Sequence, residues 1–348
     1  MTLEETMQKI RPVDAAAMAA AKQHWDGLGK PLGSLGRLEK ALIQIAGIQR
    51  TGDVHIDRKA LVIMCADNGV VEEGVTQCGQ EVTATVAENF LDEKSCVAIM
   101  CRRAGTKICP VDIGMAVDTP RVEKRKIAYG TKNMAKEPAM TREQAVAAIE
   151  VGIAKAEELH AQGYEMLATG EMGIGNTTTS SAVTAALLQC EAEEVTGRGA
   201  GLTDQGLTRK QQVVRTALET YDLWHADAFT VLQTVGGLDI AGLTGMCIGG
   251  ALWHIPIVLD GVISMAAALV AERLFPGVRE YLLPSHLGKE PAAVKLADAL
   301  RLFPVIHAEM ALGEGTGAVM MFTLLDMAMS IYGQSATFSE IAVEQYKR

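Results

Sequence analysis

The sequence predicts an α/β protein: a parallel sheet with helices on both faces, joined to a smaller helical part built from the two ends of the chain. Three observations predict it. Short apolar runs without polar alternation recur along the chain, as in strands buried on both faces. Longer helical segments separate those runs, the alternation that β-α-β crossovers produce. With 348 residues, 49% of them hydrophobic and 21% charged, the chain can bury a sizeable core.

Strands are expected over residues 61–66, 106–113, 165–169, 255–260 and 280–283. Helices are expected over 81–91, 142–162, 177–189, 209–224 and 262–274. At the amino end, residues 13–50 hold two helical patterns split by the glycine- and proline-rich stretch 27–33, and at the carboxyl end 292–302 and 317–332 read as helices. The division that follows is a helical domain of residues 1–56 and 291–348 and an α/β domain of residues 57–290. Residues 115–140 are charged and irregular, and look like an insertion.

Residues 240–259 contain no Asp, Glu, Lys or Arg and carry a Gly245-x-x-x-Gly249 spacing, so they have the length and polarity of a membrane span. His254 and Pro256 interrupt the stretch, Asp260 ends it, and no Lys or Arg anchors its flanks. A buried small-residue helix followed by a buried strand is the better reading, with no membrane partner. The net charge of −10 argues against a nucleic-acid partner, which needs a basic face. A small anion held by backbone N–H groups stays open. Seven cysteines at irregular spacing, with no C-x-x-C, read as reduced thiols of a cytoplasmic protein, and residues 1–12 show no signal-peptide pattern.

In such sheets ligands bind beyond the carboxyl ends of the strands. The loops there are Gly170-Glu171-Met172-Gly173-Ile174-Gly175-Asn176-Thr177-Thr178, Gly197-Arg198-Gly199, and Leu312-Gly313-Glu314-Gly315-Thr316-Gly317. The first follows a strand and opens a helix. It reads either as an anion site at a helix start or as a tight turn with Asn176 or Thr177 as its cap. In the second, Arg198 with the nearby Lys210 either neutralises a phosphate or is surface charge. In the third, Glu314 lies between glycines that leave room for a ligand, and burial would raise its pKa toward that of a general base; an exposed loop carboxylate is the alternative. Asp67-Asn68-Gly69 reads as a turn, and Asp260 as a carboxylate that pairs with a lysine or caps the helix after it. No histidine shows triad or zinc spacing, so none is assigned a catalytic role, although His286 lies near a strand end. The order G-x-x-G-x-G is not the dinucleotide fingerprint, which lowers the case for a nucleotide-dependent oxidoreductase.

Read together with Lys30-Pro31-Leu32-Gly33-Ser34-Leu35-Gly36-Arg37-Leu38-Glu39, Ala66-Asp67-Asn68-Gly69-Val70 and Leu259-Asp260-Gly261, these loops span nearly the whole chain in order. The set resembles the nicotinate-nucleotide–dimethylbenzimidazole phosphoribosyltransferase family, which activates the lower ligand of cobamides. The resemblance implies transfer of ribose 5-phosphate from nicotinate mononucleotide to a base, releasing nicotinate and giving an α-ribotide. It implies a large Rossmann-like domain, a small helical domain from both termini, a homodimer, and no metal or organic cofactor. Glu314 falls at the family's general base. The substrate site falls on Glu171, Gly173, Ile174, Gly175, Asn176, Thr177 and Thr178, with Gly199, Lys210, Gly313 and Gly315. The lower-ligand pocket falls on Gln77, Thr85, Gly288 and Leu312. Relatives that use benzimidazoles often carry glutamine at the position of Thr85 and serine at that of Gly288, and residues 76–79 also depart from the family pattern. The departures point to another acceptor, such as a phenol, and to a heterodimer with a related chain, since phenol-using relatives act as pairs. A catalytically silent partner subunit is the alternative, against which stands the retention of Glu171 and Glu314.

Overall fold

The computed structural model describes residues 9–346. Six parallel strands form one sheet: β1 Lys59–Ala66, β2 Lys107–Gly114, β3 Glu123–Lys124, β4 Met166–Met172, β5 Ile257–Leu259 and β6 Leu282–Pro284. Their order is β3-β2-β1-β4-β5-β6. The chain winds outward from β1 on one side, then returns to lay β4 on the other. This is a Rossmann-like sheet, and its winding reverses between β1 and β4. Every residue of β1 is buried, because helices cover both faces of a central parallel strand.

One face carries helices α1 Ala15–Gly27, α2 Arg37–Gln49, α3 Glu81–Leu91, α4 Cys96–Arg103 and α13 Thr316–Gln334. The other carries α5 Arg142–Ala161, α6 Asn176–Leu188, α7 Ala192–Val195, α8 Asp204–Thr220, α9 Ala228–Val235, α10 Leu238–Trp253, α11 Val262–Leu274 and α12 Ala292–Leu300. Each face has its own apolar cluster, with the sheet between them. The stretch Lys30–Glu39 belongs to the first face: buried Glu39 accepts from Lys30 Nζ at 2.6 Å and Leu35 N at 2.9 Å, and the Lys30 ammonium lies over the Trp25 ring.

Several expected boundaries shift. The strand expected over 165–169 continues to Met172, so Glu171 belongs to a strand end rather than to the loop after it. The strands expected over 255–260 and 280–283 shrink to three residues each, and a short 3-10 turn, Val278–Tyr281, takes up much of the second. Helices α4 and α9 and the two-residue β3 lie outside the expected elements. Residues 240–259 form most of α10 followed by β5, and α10 is buried against α5. The contact is backbone to backbone: a Cβ on Gly152 would lie 2.0 Å from the Gly242 carbonyl oxygen, and one on Gly245 would lie 2.0 Å from that of Ile149. Small residues there serve helix packing inside the protein. Among the described residues one helix, Thr316–Gln334, is long and apolar enough to cross a membrane, and half of that stretch is buried in the fold. The irregular segment after β2 closes over the end of β1, where Thr131 N donates to the Asp67 carbonyl at 3.0 Å and Gly69 N to Thr131 Oγ1 at 3.1 Å.

Candidate active site

A cavity of about 260 Å³ opens beyond the carboxyl ends of β4, β5 and β6. Its floor is the turn from β4 into α6. Gly175 adopts φ 96°, a left-handed conformation that lets the strand turn into the helix within three residues. The helix cap is this glycine, not Asn176 or Thr177 as expected. Asn176 is the first helical residue, and its side chain turns inward instead. Its Nδ2 donates to Glu171 Oε2 and, at 3.1 Å, to Asp239 Oδ2. Two buried carboxyls therefore share one amide. Burial pushes the Glu171 carboxyl up to about 8, and the nearby Asp239 carboxylate pushes it the same way. Burial raises Asp239 to about 6.

The loop before α13 packs against this strand end, and glycines make the approach possible. A Cβ on Gly170 would meet the Glu314 carbonyl oxygen at 2.6 Å, and one on Gly313 would meet Glu171 Oε1 at 2.8 Å. Asp260, at the end of β5, holds the loop from below. Its carboxylate accepts the N–H groups of Gly315 at 3.2 Å, Gly317 at 2.8 Å and Ala318 at 3.3 Å. It thus caps α13 and not, as the sequence suggested, the helix that follows it. Glu314 is held at φ 62°, rare for a residue with a side chain, and half-buried. Its Oε2 is enclosed without a hydrogen-bond partner. Burial raises its pKa, the Val97 N–H at the start of α4 pulls it down, and Asp260 pushes it up.

The second glycine loop adds a cation. Lys210 is wholly buried, and its Nζ donates to Thr177 Oγ1 at 2.8 Å, beside Gly199. Burial lowers its pKa to about 8, while the Glu290 carboxylate acts in the opposite direction. Glu290 Oε1 itself accepts the Gly199 N–H at 3.2 Å. A carboxylate therefore lies beside an ammonium, a backbone N–H and a helix start, an environment that suits an oxyanion. Arg198 turns to the surface and pairs with Asp204.

Of the residues singled out in the sequence, Glu171, Gly173, Ile174, Asn176, Thr177, Gly199, Gly288, Leu312, Gly313 and Glu314 line this one cavity. Gly175, Thr178, Lys210 and Gly315 do not line it, although Lys210 bonds Thr177 of the wall; the Thr178 hydroxyl is buried without a partner. Gln77 and Thr85 are not on the wall. Gln77 is exposed and bonds the Gly201 carbonyl, and Thr85 is exposed and bonds the Glu81 carbonyl at 3.0 Å, while the neighbouring Val86 faces in. Asp239, Ser264 and Glu290 were not anticipated, and His286 was noted near a strand end but given no role. The signal for Asp239 was weak but present: a lone acid two residues after a Gly-Gly pair, opening an otherwise uncharged helix.

Residues 10–343 match the DBI_PRT family, described as phosphoribosyltransferase. The nicotinate-nucleotide–dimethylbenzimidazole phosphoribosyltransferase of Acetivibrio thermocellus is 46% identical over 349 residues, 99% of each chain. That of Clostridium tetani is 43% identical over 98% of this chain and 95% of its own. The crystal structure of CobT from Thermus thermophilus superposes with a TM-score of 0.90 at 38% identity, covering 95% of this chain and 100% of that one. The match takes in every strand end and loop that borders the cavity, and the chain therefore belongs to this phosphoribosyltransferase family.

Proposed function

We propose that the protein transfers ribose 5-phosphate from nicotinate mononucleotide to a lower-ligand base in cobamide assembly, releasing nicotinate and forming an α-ribotide. One observation carries this reading: a half-buried carboxylate with an unpartnered oxygen, Glu314, borders the same cavity as an anion cradle built from the start of α6, Gly199 and the nearby Lys210. The cradle takes the 5-phosphate, displacing the Glu290 carboxylate that lies there. Glu314 takes the proton of the attacking base. The bond from C1 of the ribose to the nicotinate nitrogen breaks with its electron pair on that nitrogen, and the base nitrogen or oxygen bonds C1. Glu171 lines the same cavity and bonds a sugar hydroxyl; with its pKa near 8 it carries a proton at neutral pH and can donate a hydrogen bond.

The acceptor is a benzimidazole or a phenol. Support for a broad acceptor range is local: Gly288 adds no side chain to the wall, and Leu312 and Val86 make the wall apolar. Gln77 and Thr85 act on it only indirectly. The protein works as a homodimer, or as a heterodimer with a related chain.

Incubation of purified protein with nicotinate mononucleotide and a panel of benzimidazoles and phenols, with nicotinate and the ribotide followed by mass spectrometry, tests the assignment. Absence of product with every base, alone and with a related chain, would overturn it.

A further inference from the structure

The anion cradle is already occupied by a group of the protein itself. Glu290 lies just before α12 and borders the cavity. Its Oε1 accepts the Gly199 N–H at 3.2 Å, and a Cβ on Gly197 would overlap its Oε2. A Cβ on Gly199 would in turn lie 2.8 Å from Thr177 Oγ1 and 3.4 Å from Lys210 Nζ, so the backbone that Glu290 bonds is part of the cradle. The negative charge of Glu290 acts on the buried Lys210 ammonium in the direction a phosphate would. Pro291 packs on the same loop, with its Cδ 2.8 Å from the Cβ position of Gly197. The backbone at 290–291, and not the carboxylate alone, is seated on the 197–199 loop.

The segment before Glu290 is tied to the catalytic loop. His286 pairs with Ile306 in a parallel bridge, Leu287 N donates to the Ile306 carbonyl at 2.9 Å, and Lys289 N donates to the Met310 carbonyl at 3.0 Å. Met310, Leu312 and Glu314 follow one another along a single loop that borders the cavity. A change at the seat of Glu290 therefore reaches the acceptor wall and the carboxylate of Glu314 through backbone hydrogen bonds.

We propose that Glu290 is an internal competitor for the phosphate cradle, and that its release by the donor's 5-phosphate lets the loop carrying Leu312 and Glu314 close on the acceptor base. The inference rests on the transferase reading above. A phosphate brings more negative charge to Lys210 than a carboxylate does, and more acceptor oxygens to the start of α6, so it wins the exchange. A neutral hydroxyl brings no such charge and leaves Glu290 in place. The consequence is an order of binding, donor before acceptor. A cradle that stands open one-tenth of the time binds phosphate about 10-fold more weakly than one that is always open.

The test is calorimetry with inorganic phosphate on the native protein, Glu290→Gln and Glu290→Ala, at about pH 6.5, below the Lys210 pKa of about 8. The affinity for 5,6-dimethylbenzimidazole and for phenol is then measured with and without saturating phosphate. Both variants should bind phosphate roughly 10-fold more tightly than the native protein. Phosphate should tighten base binding about fivefold in the native protein and less than about twofold in Glu290→Ala. A carboxylate that only braced the loop would give the opposite sign, weaker phosphate binding in the variants. Weaker or unchanged phosphate binding in both would overturn the competition, and a native base affinity indifferent to phosphate would overturn the coupling. Neither measurement needs turnover. If the native protein transfers ribose while the variants bind phosphate no more tightly, the competition falls and the transferase reading stands. If the variants bind phosphate more tightly but the native protein transfers ribose to no base, the reverse holds.

Discussion

Glu314 combines three properties that seldom coincide: a left-handed backbone, glycines on both sides and a buried carboxylate oxygen without a partner. A protein keeps such a residue where a ligand supplies the missing bond. Glu314→Gln should lower kcat by roughly 10²–10⁴-fold, the size of a general-base contribution, while calorimetry shows the nucleotide bound almost as before. Unchanged turnover would remove the base role. Glu171 makes a second prediction through stability. Its folded pKa, about 8, lies above the ordinary 4.5, so the folded state holds its proton more tightly than the unfolded chain. The contribution of Glu171 to stability is therefore full below pH 4.5 and is lost as pH rises from there through 8. Urea unfolding of Glu171→Gln should show a shallower decline from pH 6 to pH 9 than the native protein; parallel declines would place the titrating group elsewhere. Lys210 is displaced in the other direction, from 10.5 to about 8, and phosphate beside it would reverse the shift. Nucleotide binding near pH 8.5 should take up protons, read as a dependence of calorimetric enthalpy on buffer ionisation, and Lys210→Met should abolish that uptake.

Secondary-structure elements bring these residues together through their ends. Strand β4 delivers Glu171, the α6 start delivers the proposed anion cradle, and the loop before α13 delivers Glu314. The start of α13 is tied to the sheet by one side chain just past β5. Asp260 satisfies three backbone N–H groups that α13 and its loop would otherwise bury unpaired. Asp260→Ala should cost about 1–3 kcal/mol in urea unfolding. It should also reduce turnover, because the 313–315 loop loses its anchor; full turnover with lost stability would show that the loop holds its place without it. The sequence read Asp260 as a partner for a lysine or as a cap, and as a cap assigned it to the helix next in the chain. A capping carboxylate is recognisable by type, whereas the helix it caps depends on which loop lies beside it in space.

Across the whole molecule, the two helical layers pack by contrasting means. On one side α5 and α10 meet backbone to backbone through Gly152, Gly242 and Gly245. On the other, larger side chains such as Trp25, Phe90 and Phe322 fill the space. Gly245→Ala should cost about 1–3 kcal/mol or more, since its Cβ would meet a carbonyl oxygen at 2.0 Å. Gly333→Ala, in α13 with nothing within 4 Å, should instead stabilise by roughly 0.5–1 kcal/mol. Thermal unfolding of the pair would show whether close packing or chain flexibility governs glycine in this fold.

Much of this organisation was written in the sequence. Apolar runs and helical spacing are local, so they marked the central strands and most helices, and glycine clusters after strands marked the loops that could approach a ligand. The weakest readings fell on β3, β5 and β6, which are too short to carry a period. The make-up of the cavity was decided elsewhere. Asp239 meets Glu171 across Asn176, Glu290 reaches Gly199, and the α4 start faces Glu314, although each pair is far apart along the chain. Residue type and spacing determine what each segment can form by itself. Which strand ends stand side by side, and so which carboxyls share a dry space with which amides, follows only from the strand order, because burial and charge act between neighbours in space.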